Sequence, residues 1–299
     1  MTTILETKEI SKHYAGHKAV DSINLKIRQG EIYGLIGRNG AGKTTLMRMI
    51  SGLAHPTSGS YQIFGRDGKD DPLASTRLSC LIENTGIYPN FTGTDHLLLK
   101  SLALGISGKK HIEEILKIVG LENTGKKKVK QYSLGMRQRL GIALALVGEP
   151  DIMVLDEPIN GLDPQGIVEV RQTIEKLNRE RGITFLISSH ILEELAKLAT
   201  HFGIIDNGNL IADISRADLE KQSRDRIELT SPQPQKAGLV LDQLKIFDYQ
   251  VISDRLIYIY EATDRTGEIV TALVNQDVPI EVFTVHQGSL EDYYIKLTR

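Results

Sequence analysis

Cysteine, charge of one sign and long apolar runs are all scarce in this chain, and each scarcity removes a class of function. The single cysteine among 299 residues, Cys80, cannot close an intramolecular disulfide and stands in no metal-ligand spacing. That excludes a disulfide-stapled scaffold and a zinc module, and it fits a reducing cytosol. Lysine and arginine number 36 against 38 aspartates and glutamates, a formal charge of −2, so no basic excess advertises a nucleic-acid partner. The longest purely apolar run, around Ile142 to Val147, falls far below the roughly 20 residues that a membrane-spanning helix needs. The opening MTTILETKEI has neither the charged flank nor the apolar core of a signal peptide, so the protein is expected to stay where it is made. If it works at a membrane, another chain must span it. Internal repeats, low-complexity tracts and sustained heptads are also lacking.

What is present reads as two domains, an expected 1–221 and 222–299, with ample material for a core in each. Residues 4–82 are strand-rich, with alternation in Ile23-Asn24-Leu25-Lys26-Ile27 and a buried-strand run at Ile32–Ile36 that ends in a glycine-rich turn. Helical periodicity over about 84–150 marks an inserted helical subdomain, with Thr94 as the expected N-cap of its first helix and Ile112, Ile115, Leu116 and Val119 on one face of the next. From Ile152 onward strands and helices alternate, which implies a largely parallel sheet wrapped by helices. After about Lys221 the order becomes β-α-β-β-α-β plus a last helix, the succession of a small ferredoxin-like α+β domain.

The chemistry begins at Gly37–Thr44, GRNGAGKT, which satisfies G-x-x-x-x-G-K-[ST] directly after an expected strand and opens a helix. Gly37, Arg38, Asn39, Gly40, Ala41 and Gly42 would wrap phosphate oxygens with backbone N–H groups, and the helix N-terminus adds partial positive charge. Lys43 would reach the β- and γ-phosphates, Thr44 would bind Mg²⁺, and Thr45 would add a phosphate contact. A second element, Ile152–Glu157, is an apolar strand ending in two carboxylates. Asp156 would hold the Mg²⁺ shell, and Glu157 would polarise the attacking water as general base. Between these two elements stands YSLGMRQR (132–139), a Ser-x-Gly opening onto a basic stretch and a helix. A second Ser/Gly element at that place suggests a site built from two protein copies.

The order GRNGAGKT, YSLGMRQR, IMVLDEP, Asn160-Gly161-Leu162-Asp163, Ser188-Ser189-His190 resembles the nucleotide-binding subunit of an ATP-binding cassette (ABC) transporter, over about residues 4–220. The resemblance implies a P-loop ABC ATPase fold: α/β, with a mixed-sheet core and a helical subdomain. It also implies ATP with Mg²⁺ as cofactors, a transmembrane permease as partner, and a second nucleotide-binding subunit, the pair forming a homodimer. On the same resemblance Tyr14 would stack on adenine, Asp163 would lie at the dimer interface, and His190 would contact the γ-phosphate. Ser133 and Gly135 would face the γ-phosphate held by the partner copy's Lys43. The expected location is the cytoplasmic face of the cell membrane, peripheral through the permease.

Two departures from the commonest family pattern stand out. Leu134 and Met136 replace a glycine and the glutamine of LSGGQ, and Glu83 occupies the place of a glutamine that joins the catalytic core to the helical subdomain. A carboxylate there can bind Mg²⁺ or orient water, so Glu83 joins the expected catalytic and metal residues, but it cannot donate a hydrogen bond unless protonated. With the appended C-terminal domain, these features resemble exporters that protect bacteria against peptide antibiotics, the bacitracin and lantibiotic immunity group. The competing reading is a soluble cassette ATPase acting on nucleic acid or ribosomes. It calls for a coiled-coil insertion, zinc cysteines or a second cassette, and this sequence has none of them.

Overall fold

The computed structural model describes residues 2–83, 86–106, 108–222, 225–286, 288 and 290–298. The expected start of the helical subdomain, residue 84, lies outside the described residues. The contacts divide the chain into two units, Met1–Arg216 and Ala217–Arg299.

The first unit opens with β1 (Thr3–Tyr14), β2 (His17–Ile23), β3 (Lys26–Arg28), β4 (Ile32–Ile36) and α1 (Lys43–Ile50). There follow β5 (Ser58–Ile63), β6 (Arg66–Asp67), α2 (Pro72–Thr76) and β7 (Leu78–Leu81). Helices α3 (Gly93–Ala103), α4 (Lys109–Ile118) and α5 (Leu134–Leu146) come next. The chain then alternates through β8 (Ile152–Leu155), α6 (Pro164–Arg181), β9 (Thr184–Ser189), α7 (Leu192–Leu198), β10 (His201–Asp206) and β11 (Asn209–Ser215).

These strands form two sheets. A six-stranded sheet runs β11-β10-β4-β9-β8-β7, parallel throughout except for the antiparallel β10–β11 pair. Every residue of β4, β8 and β9 is buried, the continuous apolar pattern that a parallel sheet covered on both faces demands. Their shared direction carries the ends of β4, β8 and β9 to one edge of the sheet. The second sheet is antiparallel, β2-β1-β5-β6 with β3 also on β1.

The alternating stretch 23–27 is not the single strand its pattern suggests. β2 pairs with β1 as far as Ile10↔Ile23, and β3 resumes at Glu6↔Lys26. Between them the Thr7 hydroxyl donates to the Ile23 carbonyl and accepts from Leu25 N–H, both at 2.9 Å, so a side chain, beside the Thr7 N–H bond to the Leu25 carbonyl, bridges the point where the partner changes. The start of α3 also differs from expectation. Its N-cap is Thr92, and Thr94 lies inside the first turn. Thr92 accepts from Asp95 N–H at 3.1 Å, and Asp95 accepts from Thr92 N–H at 2.8 Å, a reciprocal capping box that the Thr-x-x-Asp spacing makes possible.

In the second unit, α8 (Arg216–Gln222) leads from the first unit into β12 (Arg226–Thr230), α9 (Pro234–Gln243), β13 (Tyr249–Val251), β14 (Leu256–Ile259), α10 (Thr266–Asn275), β15 (Val282–His286) and α11 (Leu290–Thr298). The sheet is antiparallel in the order β13-β14-β12-β15, the ferredoxin-like arrangement. Alternate residues Ile227, Leu229, Ile257 and Ile259 bury one face against Val240 and Leu241 of α9 and Ile269 and Leu273 of α10. Among the described residues no helix is long and apolar enough to cross a membrane.

Candidate functional site

The glycine-rich loop 37–42 leaves β4 at a central position in the parallel sheet and turns into α1. Two glycines make that turn possible. A Cβ on Gly37 would stand 2.4 Å from the Ile205 carbonyl oxygen, and Gly42 has φ 112° with the Ala19 carbonyl 2.4 Å from where its Cβ would be. Gly42 is the N-cap of α1 and supplies no capping side chain, so the first amides of the helix are not covered by one. Lys43 is only 5% exposed. Its ammonium donates to the carbonyls of Gly37 at 2.7 Å and Arg38 at 3.3 Å and lies 3.6 Å from Glu157 Oε1. Ala19, Glu157 and loop residues 38–40 and 42–45 enclose a cavity of about 190 Å³.

The carboxylates stand just past the end of β8. Asp156 accepts from the Thr44 hydroxyl at 2.8 Å and from the Ser188 hydroxyl at 2.5 Å, and its N–H donates to the Leu81 carbonyl at 2.9 Å. Ser188 also accepts from Glu157 N–H at 2.8 Å, so one buried hydroxyl ties both acidic residues to β9. Glu157 has φ 49°, a left-handed conformation that costs a non-glycine residue energy and persists where the surroundings impose it. Its Oε2 lies 2.7 Å from His190 Nδ1. An ionised carboxylate only accepts, so Nδ1 carries the proton in that pair and Nε2 is left to face other groups. A carboxylate so oriented beside a buried lysine can take a proton from a water molecule, and the Thr44–Asp156 pair offers two hard oxygen ligands to a cation.

The remaining expected residues lie apart from this cluster. Ser133 is exposed and caps α5, accepting from Met136 N–H at 3.2 Å. Gly135 is packed so closely on α6 that a Cβ there would stand 3.4 Å from Gly166 Cα. Asp163 caps α6 by accepting from Gly166 N–H at 3.2 Å, and the Gly135–Gly166 approach sets the starts of α5 and α6 side by side. Tyr14 is exposed at the end of β1, with the Lys12 ammonium 5.1 Å from its ring centroid. The Glu83 carboxylate pairs with Arg48 at 2.5 Å. Two residues with no role in the sequence reading emerge, Ser188 and Arg48. A hydroxyl beyond the Leu155↔Ile187 pairing was the available sign of Ser188. Arg48 carried none, since its partner is distant in sequence.

A glycine loop feeding an uncapped helix N-terminus, a buried lysine and strand-end carboxylates on a parallel sheet define a P-loop nucleotide hydrolase. The ABC transporter family profile matches residues 20–160. The chain is 43% identical over 299 residues to the bacitracin transport ATP-binding protein BcrA of Bacillus licheniformis, covering 99% of this chain and 98% of that one. It is 41% identical over 210 residues to the lantibiotic transport ATP-binding protein SrtF of Streptococcus pyogenes, covering 70% of this chain and 90% of that one. Among solved structures, a dimeric ATP-binding cassette in a post-hydrolysis state bound to ADP and Pi aligns with TM-score 0.64 and 25% identity, over 71% of this chain and 99% of that one. The chain belongs to the ATP-binding subunits of ABC transporters, and it binds and hydrolyses ATP.

Proposed function

We propose that the chain energises an exporter of peptide antibiotics of the bacitracin or lantibiotic kind. In this reading it works as a homodimer held at the cytoplasmic face of the membrane by a separate permease. Likeness over nearly the whole length to the bacitracin transport subunit supports the substrate class. The single observation that carries the catalytic half is the bonded chain Thr44–Asp156–Ser188–Glu157–His190 beside the phosphate loop.

The roles follow from what each atom can do. Loop amides and the Lys43 ammonium receive the β- and γ-phosphates, and incoming phosphate oxygens replace the carbonyls and Glu157 that now satisfy Lys43. Glu157 accepts a proton from water as the water oxygen forms its bond to the γ-phosphorus and the bond from that phosphorus to the bridging oxygen breaks, giving ADP and phosphate. His190 orients Glu157 and presents its other ring nitrogen to the γ-phosphate, while Tyr14 and Thr45 contact the adenine and a phosphate. Thr44 and Asp156 fit Mg²⁺, which takes oxygen ligands and would supply charge neutralisation on the β- and γ-oxygens. Ser133, Gly135 and Asp163 serve the partner copy's nucleotide. Loss of the γ-phosphate then removes an anion shared by two copies, and the closed state loses its advantage over the open one.

The test is survival. Cells lacking the chain should become sensitive to bacitracin or a lantibiotic, the parent gene should restore protection, and Glu157→Gln should not despite normal protein levels. Protection retained by that variant would sink the coupling of hydrolysis to export.

A further inference from the structure

Two contacts, one helical turn apart, join α5 to α6. Gly135 and Arg139 are four residues apart and share a face of α5, and they meet Gly166 and Glu169, three apart on α6. The first contact is a close approach of backbones, since a Cβ on Gly135 would stand 3.4 Å from Gly166 Cα. The second is an ion pair, with Arg139 Nη2 2.9 Å from Glu169 Oε2. A single point of contact is a pivot, and a second one a turn further on removes the freedom to turn about it.

The same guanidinium holds a third helix. Arg139 Nη1 donates to the carbonyls of Val119 at 3.0 Å and Gly120 at 3.2 Å, where α4 closes. Gly120 has φ 66°, and a Cβ there would stand 3.0 Å from Nη1, so the turn after α4 is shaped to admit the guanidinium. The Arg139 side chain is only 12% exposed, and its Nε is buried with no hydrogen-bond partner among the described residues. An unmet buried donor lowers stability, so packing alone does not account for an arginine here. A planar fork serves a carboxylate and two carbonyls on different helices at once, which the point charge of a lysine does not.

The ion pair stands at the same distance from both helix starts. Ser133 caps α5 six residues before Arg139, and Asp163 caps α6 six residues before Glu169. Both caps belong to the surface expected to meet the partner copy's nucleotide.

We propose that Arg139 is a positioning residue: by tying the end of α4 and Glu169 of α6 to α5, it fixes the Ser133–Gly135 helix start relative to the Asp163 start and so sets how tightly two copies close on ATP. The inference rests on the proposed sharing of the site between copies and assigns its alignment to a side chain outside the site.

The experiment uses the full chain in the Glu157→Gln background. Sedimentation reads the ATP-dependent dimer, and a fluorescent nucleotide reads the stoichiometry and affinity of the monomer. Arg139→Ala should raise the dimer dissociation constant about tenfold, within the usual range of coupling between sites, with nucleotide stoichiometry and monomer affinity at the parent values. Loss of structure alone would lower the stoichiometry instead. Arg139→Lys, which keeps a charge opposite Glu169, should recover part of the loss. Glu169→Gln should weaken the dimer about threefold, and Arg139→Ala/Glu169→Gln no more than Arg139→Ala, because both act through one contact. An unchanged dimer constant in Arg139→Ala, no recovery with lysine, or additive losses in the double variant overturns the inference. If Arg139→Ala does not fold, Glu169→Gln decides alone, and an unchanged dimer constant there is the overturning result. A Glu157→Gln chain that binds ATP and forms no dimer removes the shared-site reading and this inference with it.

Discussion

Two helix starts in the first unit, those of α1 and α5, are built for opposite situations. α1 begins at Gly42 with no capping side chain, its lysine buried and a bonded set of carboxylates beside it. α5 begins at exposed Ser133, which caps its own helix through Met136 N–H, with α6 and its cap Asp163 alongside. The first start leaves its amides open beside a buried lysine, the arrangement that suits an anion held by the same chain. The second is finished as a surface and remains able to offer a hydroxyl and helix dipole to something arriving from outside. On the proposed reading, the difference is how a nucleotide site would divide between copies: catalytic groups on one side, closing groups on the other.

The sharpest way to break that division is to disable the first side alone. Glu157→Gln should lower ATP turnover by about 10²–10⁴-fold while leaving nucleotide affinity close to the parent, read by phosphate release and by a fluorescent nucleotide. Equal turnover would remove Glu157 from the role of base. Lys43→Ala should weaken ATP binding by roughly 10–100-fold, the loss of a charge-assisted contact to phosphate, and retained affinity would argue against the loop assignment.

The smallest expected effect lies in the helical segment. Thr92→Ala should cost about 1 kcal/mol in chemical denaturation, because it removes half of the capping box at α3. Hydrogen bonds from the Thr92 N–H and side chain, helped by Lys128, hold the Asp95 carboxyl below the usual range. A depressed carboxyl stabilises above its unfolded pKa, so the contribution of Asp95 is present at neutral pH and is lost only as pH falls through the lowered value. A variant whose stability matches the parent across that range would show the cap to be idle.

Much of this arrangement was legible because it is local in sequence. The phosphate loop is one contiguous segment, and the carboxylates sit at the end of an apolar strand run. Ile32–Ile36 and Ile152–Leu155 read as buried strands and are so. What escaped depends on lateral contacts that no spacing encodes. Ser188 bridges Asp156 and Glu157 only because β8 and β9 are neighbours in a particular register. Arg48 meets Glu83 only because α1 lies against the end of β7. The break after Ile23 needed knowledge that β1 has partners on two ladders, since alternation alone continues through it. Thr94 stands nearer the leucines of α3, but the reciprocal Thr92–Asp95 spacing places the cap two residues earlier.

The division of the site between two copies is tested most directly at Ser133. Asp caps a helix as well as Ser does, so Ser133→Asp should fold normally while placing a negative charge where the partner's phosphate would arrive. In the Glu157→Gln background, sedimentation with ATP should show a dimer for the single variant. Ser133→Asp/Glu157→Gln should bind ATP with the same monomer affinity and remain a monomer. An ATP-dependent dimer of equal strength in both, or a loss of monomer ATP affinity caused by Ser133→Asp, would contradict a site shared between copies.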